Sequence, residues 1–268
     1  MIIQDTLDAL ASVLFAAPCR ICGGALLNAS RIPVCVPCLE SFKLIVDPMC
    51  QICGRPFVSA IASHAERPLC RLCRSNFYGF DIARSFAVYN EELTSAILLL
   101  KYDQVTRLGD WFAARLEEVI LRAPDQWRFD IVVPVPLHPD RKRERGYNQA
   151  ELIARPLARR VGVKLAPRIM VRTKPRPPQL VLSRSEHWKS VRGAYAIREG
   201  AQVDKLRVLL VDDVLTTGAT LDACSRVLKK AGAAAVMGLT VGRVAPDGSL
   251  SQPIAGPAQS NRKAAMQG

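Results

Sequence analysis

The chain has 268 residues, of which 49% are hydrophobic and 23% charged, and its formal net charge is +13 at pH 7. This composition is typical of a folded globular protein and excludes an intrinsically disordered chain. No run of about 18 consecutive apolar residues occurs, which excludes a transmembrane helix of ordinary length.

Residues 1–18 open the chain with an apolar but acidic segment. Asp5 and Asp8 precede the first basic residue, Arg20, whereas a secretion signal begins with a positively charged region. We therefore predict an amphipathic N-terminal helix and a cytoplasmic protein.

Eight of the nine cysteines stand in four CxxC pairs within residues 19–79. In a cytosolic protein this spacing indicates metal binding, because two thiolates separated by two residues reach one tetrahedral ion. The spacers of twelve, eleven and sixteen residues suit two structural zinc-ribbon sites, and a segment this small needs metal to fold. The predicted ligands are Cys19, Cys22, Cys35, Cys38, Cys50, Cys53, Cys70 and Cys73.

We expect these pairs to combine sequentially, first with second and third with fourth, although the spacing also allows an interleaved arrangement. Redox activity is the alternative function of a CxxC pair, but four pairs in one segment favour structural zinc. His64 lies between the third and fourth pairs and is interpreted as a loop residue, since enough cysteines are present. The ninth cysteine, Cys224, is predicted to be an ordinary buried thiol.

Apolar spacing after residue 80 predicts the first half of an α/β domain. The expected elements are a strand at 80–89, helices at 91–102 and 107–121, and a second strand at 130–137. This second strand has the sequence DIVVPVPL and ends in Pro134 and Pro136. A stiff turn at a strand end can hold backbone amides toward an anion, and a simple strand terminator is the alternative.

Positive charge is concentrated in residues 138–192, where fifteen Lys and Arg stand against four acids, a net of +11 in 55 residues. Four of these cations lie in five positions, Arg141 to Arg145, before Asn148 begins a predicted helix. We interpret this stretch as a flexible basic loop with an anionic partner, either a pyrophosphate group or a nucleic-acid backbone. A further strand is expected at 165–172, and His187 is interpreted as a surface residue on a helix.

Residues 208–220 have the sequence VLLVDDVLTTGAT and predict a binding site. The apolar run indicates a strand buried on both faces of a parallel sheet, and it ends in Asp212 and Asp213. The Thr/Gly turn that follows begins a predicted helix at 221–230, and a last strand is expected at 233–241.

This turn points backbone N–H groups and hydroxyls at an anion, whereas the two carboxylates suit sugar hydroxyls or a cation. A phosphorylated sugar satisfies both requirements. The magnesium-binding strand of a P-loop ATPase is an alternative, but the chain has no GxxxxGK[ST] motif. A receiver domain carries its paired acids near its first strand, not this far along the chain.

The stretch VLLVDDVLTTGAT resembles the phosphoribosyl pyrophosphate (PRPP) signature of type I phosphoribosyltransferases. With the CxxC pairs and the string RERGYNQAEL, the chain is similar to the ComF family, phosphoribosyltransferase-like proteins associated with DNA uptake in competent bacteria. The resemblance implies an α/β fold with a type I phosphoribosyltransferase-like parallel sheet flanked by helices. The expected segments are a helix at 1–18, a double zinc ribbon at 19–79, the phosphoribosyltransferase-like domain at 80–245 and a disordered tail at 246–268.

The resemblance also implies PRPP with Mg²⁺ as the ligand and a role for each motif. Asp212 and Asp213 are assigned to the ribose hydroxyls as the catalytic pair. The 5′-phosphate is assigned to Thr216, Thr217, Gly218, Ala219 and Thr220. The pyrophosphate is assigned to Val133, Pro134, Val135, Arg141, Arg143 and Arg145. Lys101, in a Lys-Tyr dipeptide that recurs in the family, receives no role, and a solvated lysine is the alternative.

Two functions follow from these observations. The first is a Mg²⁺-dependent phosphoribosyltransferase that acts on an unknown acceptor and is linked to DNA uptake. The alternative is a non-catalytic competence factor that binds nucleic acid, with single-stranded DNA and competence proteins as partners. In that case PRPP is a regulatory ligand or does not bind.

Overall fold

The computed structural model describes residues 18–26, 32–57, 68–175 and 183–245. The helix expected at 1–18, His64 and the tail at 246–268 lie outside the described residues, apart from position 18. Among the described residues, no helix is both long enough and apolar enough to cross a lipid bilayer.

The central sheet is parallel and is built from apolar strands, because helices cover both of its faces. The strands of the chain are β1 (Ile82–Val88), β2 (Ile131–Pro134), β3 (Lys164–Leu165), β4 (Met170–Arg172), β5 (Tyr195–Ile197), β6 (Arg207–Leu215) and β7 (Ala235–Arg243). Within the described chain, five of them form the sheet in the order β1-β7-β6-β2-β3. The longest pairing joins β6 to β7, with Asp212 opposite Thr240.

The α-helices of the described chain are α1 (Val36–Glu40), α2 (Arg71–Arg74), α3 (Glu91–Tyr102), α4 (Leu108–Leu121), α5 (Pro139–Arg145), α6 (Gln149–Arg160), α7 (Arg184–Val191) and α8 (Ala219–Lys230). Of these, α3, α4, α6 and α8 pack on the faces of the sheet. Leu209 and Val211 of β6 belong to a core shared with α3, α4 and α6. Val208 and Leu210 belong to a second core shared with α8. Alternate residues of β6 therefore face opposite layers, as strand geometry requires.

Most elements predicted from apolar periodicity are present within a few residues, and the helix expected at 91–102 coincides with α3. The single strand expected at 165–172 is wrong. Its first residue belongs to β3, whereas β4 leaves the sheet and pairs antiparallel with β5. The chain between them turns away from the sheet edge, so one apolar stretch serves two different sheets.

The flexible basic loop expected after β2 is also wrong, because residues 139–145 form the helix α5. His138 caps the helix, with its Nδ1 accepting a hydrogen bond from the Asp140 amide at 3.3 Å, and Pro139 occupies the first turn. Ion pairs between residues three apart join Arg141 to Glu144 and Arg143 to Asp140. Such pairs stabilise a short helix that charge alone would disfavour.

The cysteine-rich segment covers the open edge of the sheet at β1. The Ile45 amide donates to Phe86 O at 3.1 Å, and the Val88 amide donates to Lys43 O at 2.8 Å. Further along the same edge, the Ala83 amide donates to Ile52 O at 2.7 Å. The segment thus satisfies backbone groups that an edge strand would otherwise leave exposed.

Gly109 lets α4 approach α6 closely, and this contact provides a test of the packing. A Cβ at Gly109 would lie 2.7 Å from Leu152 O, so the helix backbones would have to separate. We expect Gly109→Ala to destabilise the protein by about 1 kcal/mol or more, although alanine is the better helix former by about 1 kcal/mol. Urea denaturation measures the change.

Arg159→Ala is the control, because Arg159 is exposed on α6. Its free energy of unfolding should stay within about 0.5 kcal/mol of the wild type. A Gly109→Ala variant as stable as the wild type would contradict the close helix contact.

Candidate functional site

The candidate site lies at the carboxyl end of β6, where the chain turns into α8. Gly218 is the N-cap of α8 and has a φ of 85°, a left-handed conformation that favours glycine. A Cβ at Gly218 would lie 2.6 Å from Tyr78 Cε1, so the tyrosine ring covers the turn. The turn is therefore closed on one side and open on the other, where Thr216 is exposed.

A cavity opens beside this turn and contains the Asp212 side chain. Its volume is about 220 Å³, including space open to solvent. The lining residues are Asp212, Val214, Leu215, Thr216, Gly218, Thr220, Leu221 and Thr240. One hollow thus brings a carboxylate together with the hydroxyls of a helix-initiating turn.

Asp213 occupies a different environment from Asp212. Its side chain is 8% exposed, and its Oδ2 lies 2.5 Å from Lys101 Nζ at the end of α3. Consecutive residues of a strand point to opposite faces, so Asp213 faces the layer of α3 while Asp212 faces the cavity. Lys101 is therefore an ion-pair partner at the site and not a solvated lysine. Its only signal in the sequence was the Lys-Tyr dipeptide.

The electrostatics of Asp212 follow from this arrangement. Burial, together with the neighbouring charge of Asp213, raises the pKa of Asp212 to about 7. The positive charges of Lys101 and Arg172 act in the opposite direction. Asp212 is thus a carboxylate that would gain from hydrogen-bond donors or positive charge in the cavity.

Two side chains from distant parts of the chain hold the turn. The Tyr78 hydroxyl donates to Thr217 O at 3.0 Å, and burial raises the pKa of Tyr78 to about 12, which keeps this donor protonated at neutral pH. His187 Nδ1 lies 3.0 Å from Thr217 Oγ1, which also accepts a hydrogen bond from the Ala219 amide. Neither Tyr78 nor His187 was assigned to the site from the sequence, because no local motif marks them.

The β4–β5 hairpin places an arginine near the cavity as well. Arg172 Nη1 donates to the Tyr195 hydroxyl at 3.2 Å, and its Nε donates to Lys174 O at 3.0 Å. Tyr195 is buried, and its hydroxyl also contacts the Thr220 side chain. Since Arg172 lowers the pKa of Asp212, it belongs to the electrostatic surroundings of the site.

The segment Val133 to Val135 lies at the same edge of the sheet, with Pro134 opposite Val211 of β6. Its side chains are buried in the core. The Val135 amide donates to Val211 O at 2.9 Å, and Val135 O accepts from Asn148 Nδ2 at 3.0 Å. The segment therefore shapes the edge through its backbone.

The basic residues of α5 follow directly along the chain. Arg141 and Arg143 are exposed, and each is paired with an acid of the same helix. Arg145 donates to Gln149 Oε1 at 2.5 Å and stacks over the Tyr102 ring at 4.8 Å. Tyr102 is the neighbour of Lys101, so α5 approaches the ion pair with Asp213 through this contact.

The eight paired cysteines form two compact groups in the sequential arrangement. One consists of Cys19, Cys22, Cys35 and Cys38, and the other of Cys50, Cys53, Cys70 and Cys73, with all sulfurs of a group within 4.8 Å of one another. Sulfur–sulfur distances are 3.9 Å and 3.7 Å in the first group and 3.7 Å in the second. A tetrahedral zinc ion with bonds of about 2.3 Å would hold its sulfurs about 3.8 Å apart.

Backbone donors around the sulfurs also fit a thiolate site. The Cys35 amide donates to Cys19 Sγ and the Cys70 amide to Cys50 Sγ, each at 3.3 Å. Both groups can therefore hold a zinc ion. Cys224 is buried on α8, apart from both groups, as the sequence predicts.

Comparison with known proteins agrees with this fold. Residues 148–242 match the phosphoribosyl transferase domain family. The chain is 28% identical over 218 residues to competence protein F of Haemophilus influenzae, covering 80% of this chain and 91% of that protein. It is 27% identical over 213 residues to the DNA utilization protein YhgH of Salmonella typhimurium, covering 78% of this chain and 90% of the other.

A third relative is competence protein ComFC of Bacillus subtilis, which is 26% identical over 211 residues, or 75% of this chain and 80% of that protein. These relatives confirm the resemblance to the ComF family that the motifs indicated. With the family match and the sheet topology, they also confirm the predicted α/β fold with a preceding cysteine-rich segment.

The raised pKa of Asp212 predicts how stability depends on pH. The folded protein keeps the proton of Asp212 up to about pH 7, whereas an unfolded Asp releases it near pH 4. The stability that Asp212 contributes therefore decreases as the pH rises from about 4 to about 7. Asp212→Asn removes the charge. We expect the variant to gain on the order of 2 kcal/mol over the wild type at pH 8 and less at pH 5, measured by urea denaturation.

Asp130→Asn is the matched control, because its effect on the free energy of unfolding should have the opposite sign. Arg207 holds the pKa of Asp130 below its usual range, so Asp130 stabilises the fold above about pH 4 and loses this effect on acidification. Its Asn variant should be less stable than the wild type at pH 8. If Asp212→Asn changes the free energy of unfolding by the same amount at pH 8 and at pH 5, the electrostatic account is refuted.

Proposed function

We propose that this ComF-like chain, with its phosphoribosyltransferase-type fold, binds PRPP together with Mg²⁺ and transfers the phosphoribosyl group to an acceptor nucleophile. The observation that carries this proposal is the cavity in which Asp212 lies beside the turn from Thr216 to Thr220. A carboxylate that accepts hydrogen bonds from sugar hydroxyls, next to a turn that donates to phosphate, suits a phosphorylated ribose.

The 5′-phosphate would bind at the turn. The first amides of α8 have no acceptor within the helix, and the helix dipole gives this end a positive partial charge. Thr216 and Thr220 line the cavity and would add hydroxyl donors, with Thr217, Gly218 and Ala219 contributing backbone. The pyrophosphate would extend from the cavity over the edge of the sheet.

Asp212 would accept hydrogen bonds from the ribose hydroxyls and stabilise the positive charge that develops on the sugar as the anomeric C–O bond breaks. Asp213 is proposed to assist from the other face of β6, where Lys101 fixes its position. Because only Asp212 lines the cavity, it would make the larger contribution of the two.

Pyrophosphate would leave as its Mg²⁺ complex, in which the metal ion arrives bound to the substrate and neutralises the charge of the leaving group. We assign the edge formed by Val133, Pro134 and Val135 to this region. Arg141, Arg143 and Arg145 would supply positive charge from α5 by exchanging their present acidic or amide partners for the leaving group.

We propose that the zinc sites are structural and lie in a double zinc ribbon at residues 19–79, followed by a phosphoribosyltransferase-like domain at 80–245. The names of the relatives, competence protein and DNA utilization protein, support a role in DNA uptake. On this basis we place the protein in the cytoplasm, with single-stranded DNA and proteins of a competence machinery as partners.

A second candidate function is a non-catalytic nucleic-acid-binding factor for which PRPP is at most a regulatory ligand. The observation that favours it is the exposure of many basic side chains in residues 138–192. The exposed ones include Arg141, Lys142, Arg143, Arg155, Arg159, Arg160, Lys164, Arg168, Lys174, Lys189 and Arg192. Such a surface suits a phosphate backbone.

Calorimetric titration with PRPP, with and without Mg²⁺, tests the first function. Asp212→Asn should weaken PRPP binding about 10- to 100-fold, because a charged acceptor of ribose hydroxyls is lost. Asp213→Asn should weaken it by less. Asp130→Asn is the control, since Asp130 is paired with Arg207 at the opposite end of β6, and it should bind like the wild type. Scanning acceptors for pyrophosphate release then identifies turnover.

DNA binding by the same proteins separates the two functions. Affinity for single-stranded DNA is measured at about 50 and 200 mM salt, where backbone contacts weaken steeply. A wild-type protein that binds DNA in this salt-sensitive way but does not bind PRPP would exclude the enzyme and favour the second candidate. PRPP binding that Asp212→Asn leaves unchanged would place the ligand elsewhere.

A further inference from the structure

We propose that the second cysteine group positions the phosphate-binding turn, with Tyr78 and Arg243 as the positioning residues, so that zinc loss from this group loosens the turn. The second group is Cys50, Cys53, Cys70 and Cys73, and the turn comprises residues 216–218. This coupling between the second cysteine group and the turn rests on the proposed function only for the identity of the ligand that the turn binds.

Tyr78 provides the first connection. Its hydroxyl donates to Thr217 O at 3.0 Å, and its ring covers Gly218. The same ring stacks on Phe80 with 4.7 Å between centroids. Phe80 belongs to the buried cluster that contains the four cysteines of the second group. A shift of the cysteine group would therefore reach the turn through two stacked rings and one hydrogen bond.

Arg243 provides the second connection. It is the last residue of β7, is 2% exposed, and donates from Nη2 to Cys53 Sγ at 3.3 Å. In the sheet it lies opposite Leu215, the residue directly before the turn. The next amide, that of Val244, donates to Leu215 O at 3.2 Å. The Leu215 backbone, from which the turn begins, is thus hydrogen-bonded to the residue that follows Arg243, and Arg243 contacts the sulfur of Cys53.

Charge makes both connections depend on the metal. Arg84 and Arg243 bring two guanidinium groups into the interior beside this group, and Arg84 donates to Gln51 O and Ile52 O between Cys50 and Cys53. A zinc ion with four thiolates carries a net charge of −2, which offsets these two cations. Loss of the zinc ion removes the centre that holds the four sulfurs together, so the contacts of Arg243 with Cys53 and of Arg84 with the Gln51 and Ile52 carbonyls lose their fixed partners.

The backbone of the second group is also fitted to the sheet. Gly54 has a φ of 63°, and a Cβ there would lie 2.7 Å from Ala83 O. The first group lies closer to the surface. Cys22 is exposed, and the neighbouring Arg20 forms an ion pair with Asp103 at the surface. In the described part of the chain, no hydrogen bond or ion pair joins a sulfur of the first group to residues 216–218.

The test compares Cys53→Ser with Cys22→Ser in the full-length protein. Zinc content is measured by mass spectrometry, and hydrogen exchange of the amides at 214–222 is followed without ligand. We expect two zinc ions in the wild type and one in each variant. Exchange should be at least about tenfold faster in Cys53→Ser and unchanged in Cys22→Ser, because only the second group supports the turn.

Tyr78→Phe decides the matter if Cys53→Ser fails to fold. It should keep two zinc ions and speed exchange at the turn about 2- to 10-fold, the loss expected for one hydrogen bond. Equal exchange in the two cysteine variants, or no change in Tyr78→Phe, would overturn the coupling.

Titration with ribose 5-phosphate separates this inference from the proposed function. A wild-type protein that shows the exchange difference but does not bind ribose 5-phosphate would refute the proposed function and leave the coupling intact. A protein that binds the ligand but shows no exchange difference would refute the coupling alone. If both hold, Cys53→Ser should bind ribose 5-phosphate more weakly than Cys22→Ser.

Discussion

The site depends on the position of the first turn of α8 at the carboxyl end of β6. A helix that begins there directs the amides of its first turn at the space beside Asp212. Gly218 makes the turn sharp enough, and the Tyr78 ring covers it on the side away from the cavity. Without this placement, the Asp212 carboxylate and the Thr/Gly turn would not line one cavity.

The two acids show how a strand gives neighbouring residues different surroundings. Asp213 is matched by Lys101, whereas Asp212 is partly buried near a like charge and has a raised pKa. A group that costs stability in the free protein is what a binding site contains when its ligand brings the missing partners. The structure thus holds one carboxylate with a cationic partner, Asp213, and one without such an ion pair, Asp212, in adjacent positions.

Local patterns in the sequence were sufficient for much of the fold. The apolar run before Asp212 corresponds to β6, because a strand buried on both faces is apolar throughout. The helical periodicity of residues 91–102 corresponds to α3, because a helix buried on one face has apolar residues at helical spacing. The cysteine groups followed from spacing, since two residues between thiolates set the geometry of a metal site.

The remaining features depend on contacts between distant parts of the chain. Tyr78 and Thr217 are 139 positions apart, and Arg243 and Cys53 are 190 apart, so no local pattern could join them. The helix α5 was missed for a different reason. Its charge density suggested a solvated loop, whereas the cap at His138 and the ion pairs within the helix stabilise it. Lys101 likewise acquires its partner only when α3 packs beside β6.

A crystal structure of the full-length protein with ribose 5-phosphate tests the central claim most directly. It should show the phosphate within hydrogen-bond distance of the amides and hydroxyls between Thr216 and Thr220, with the ribose hydroxyls directed at Asp212. A phosphate held instead by the arginines of α5, with the turn and Asp212 unchanged, would contradict the account.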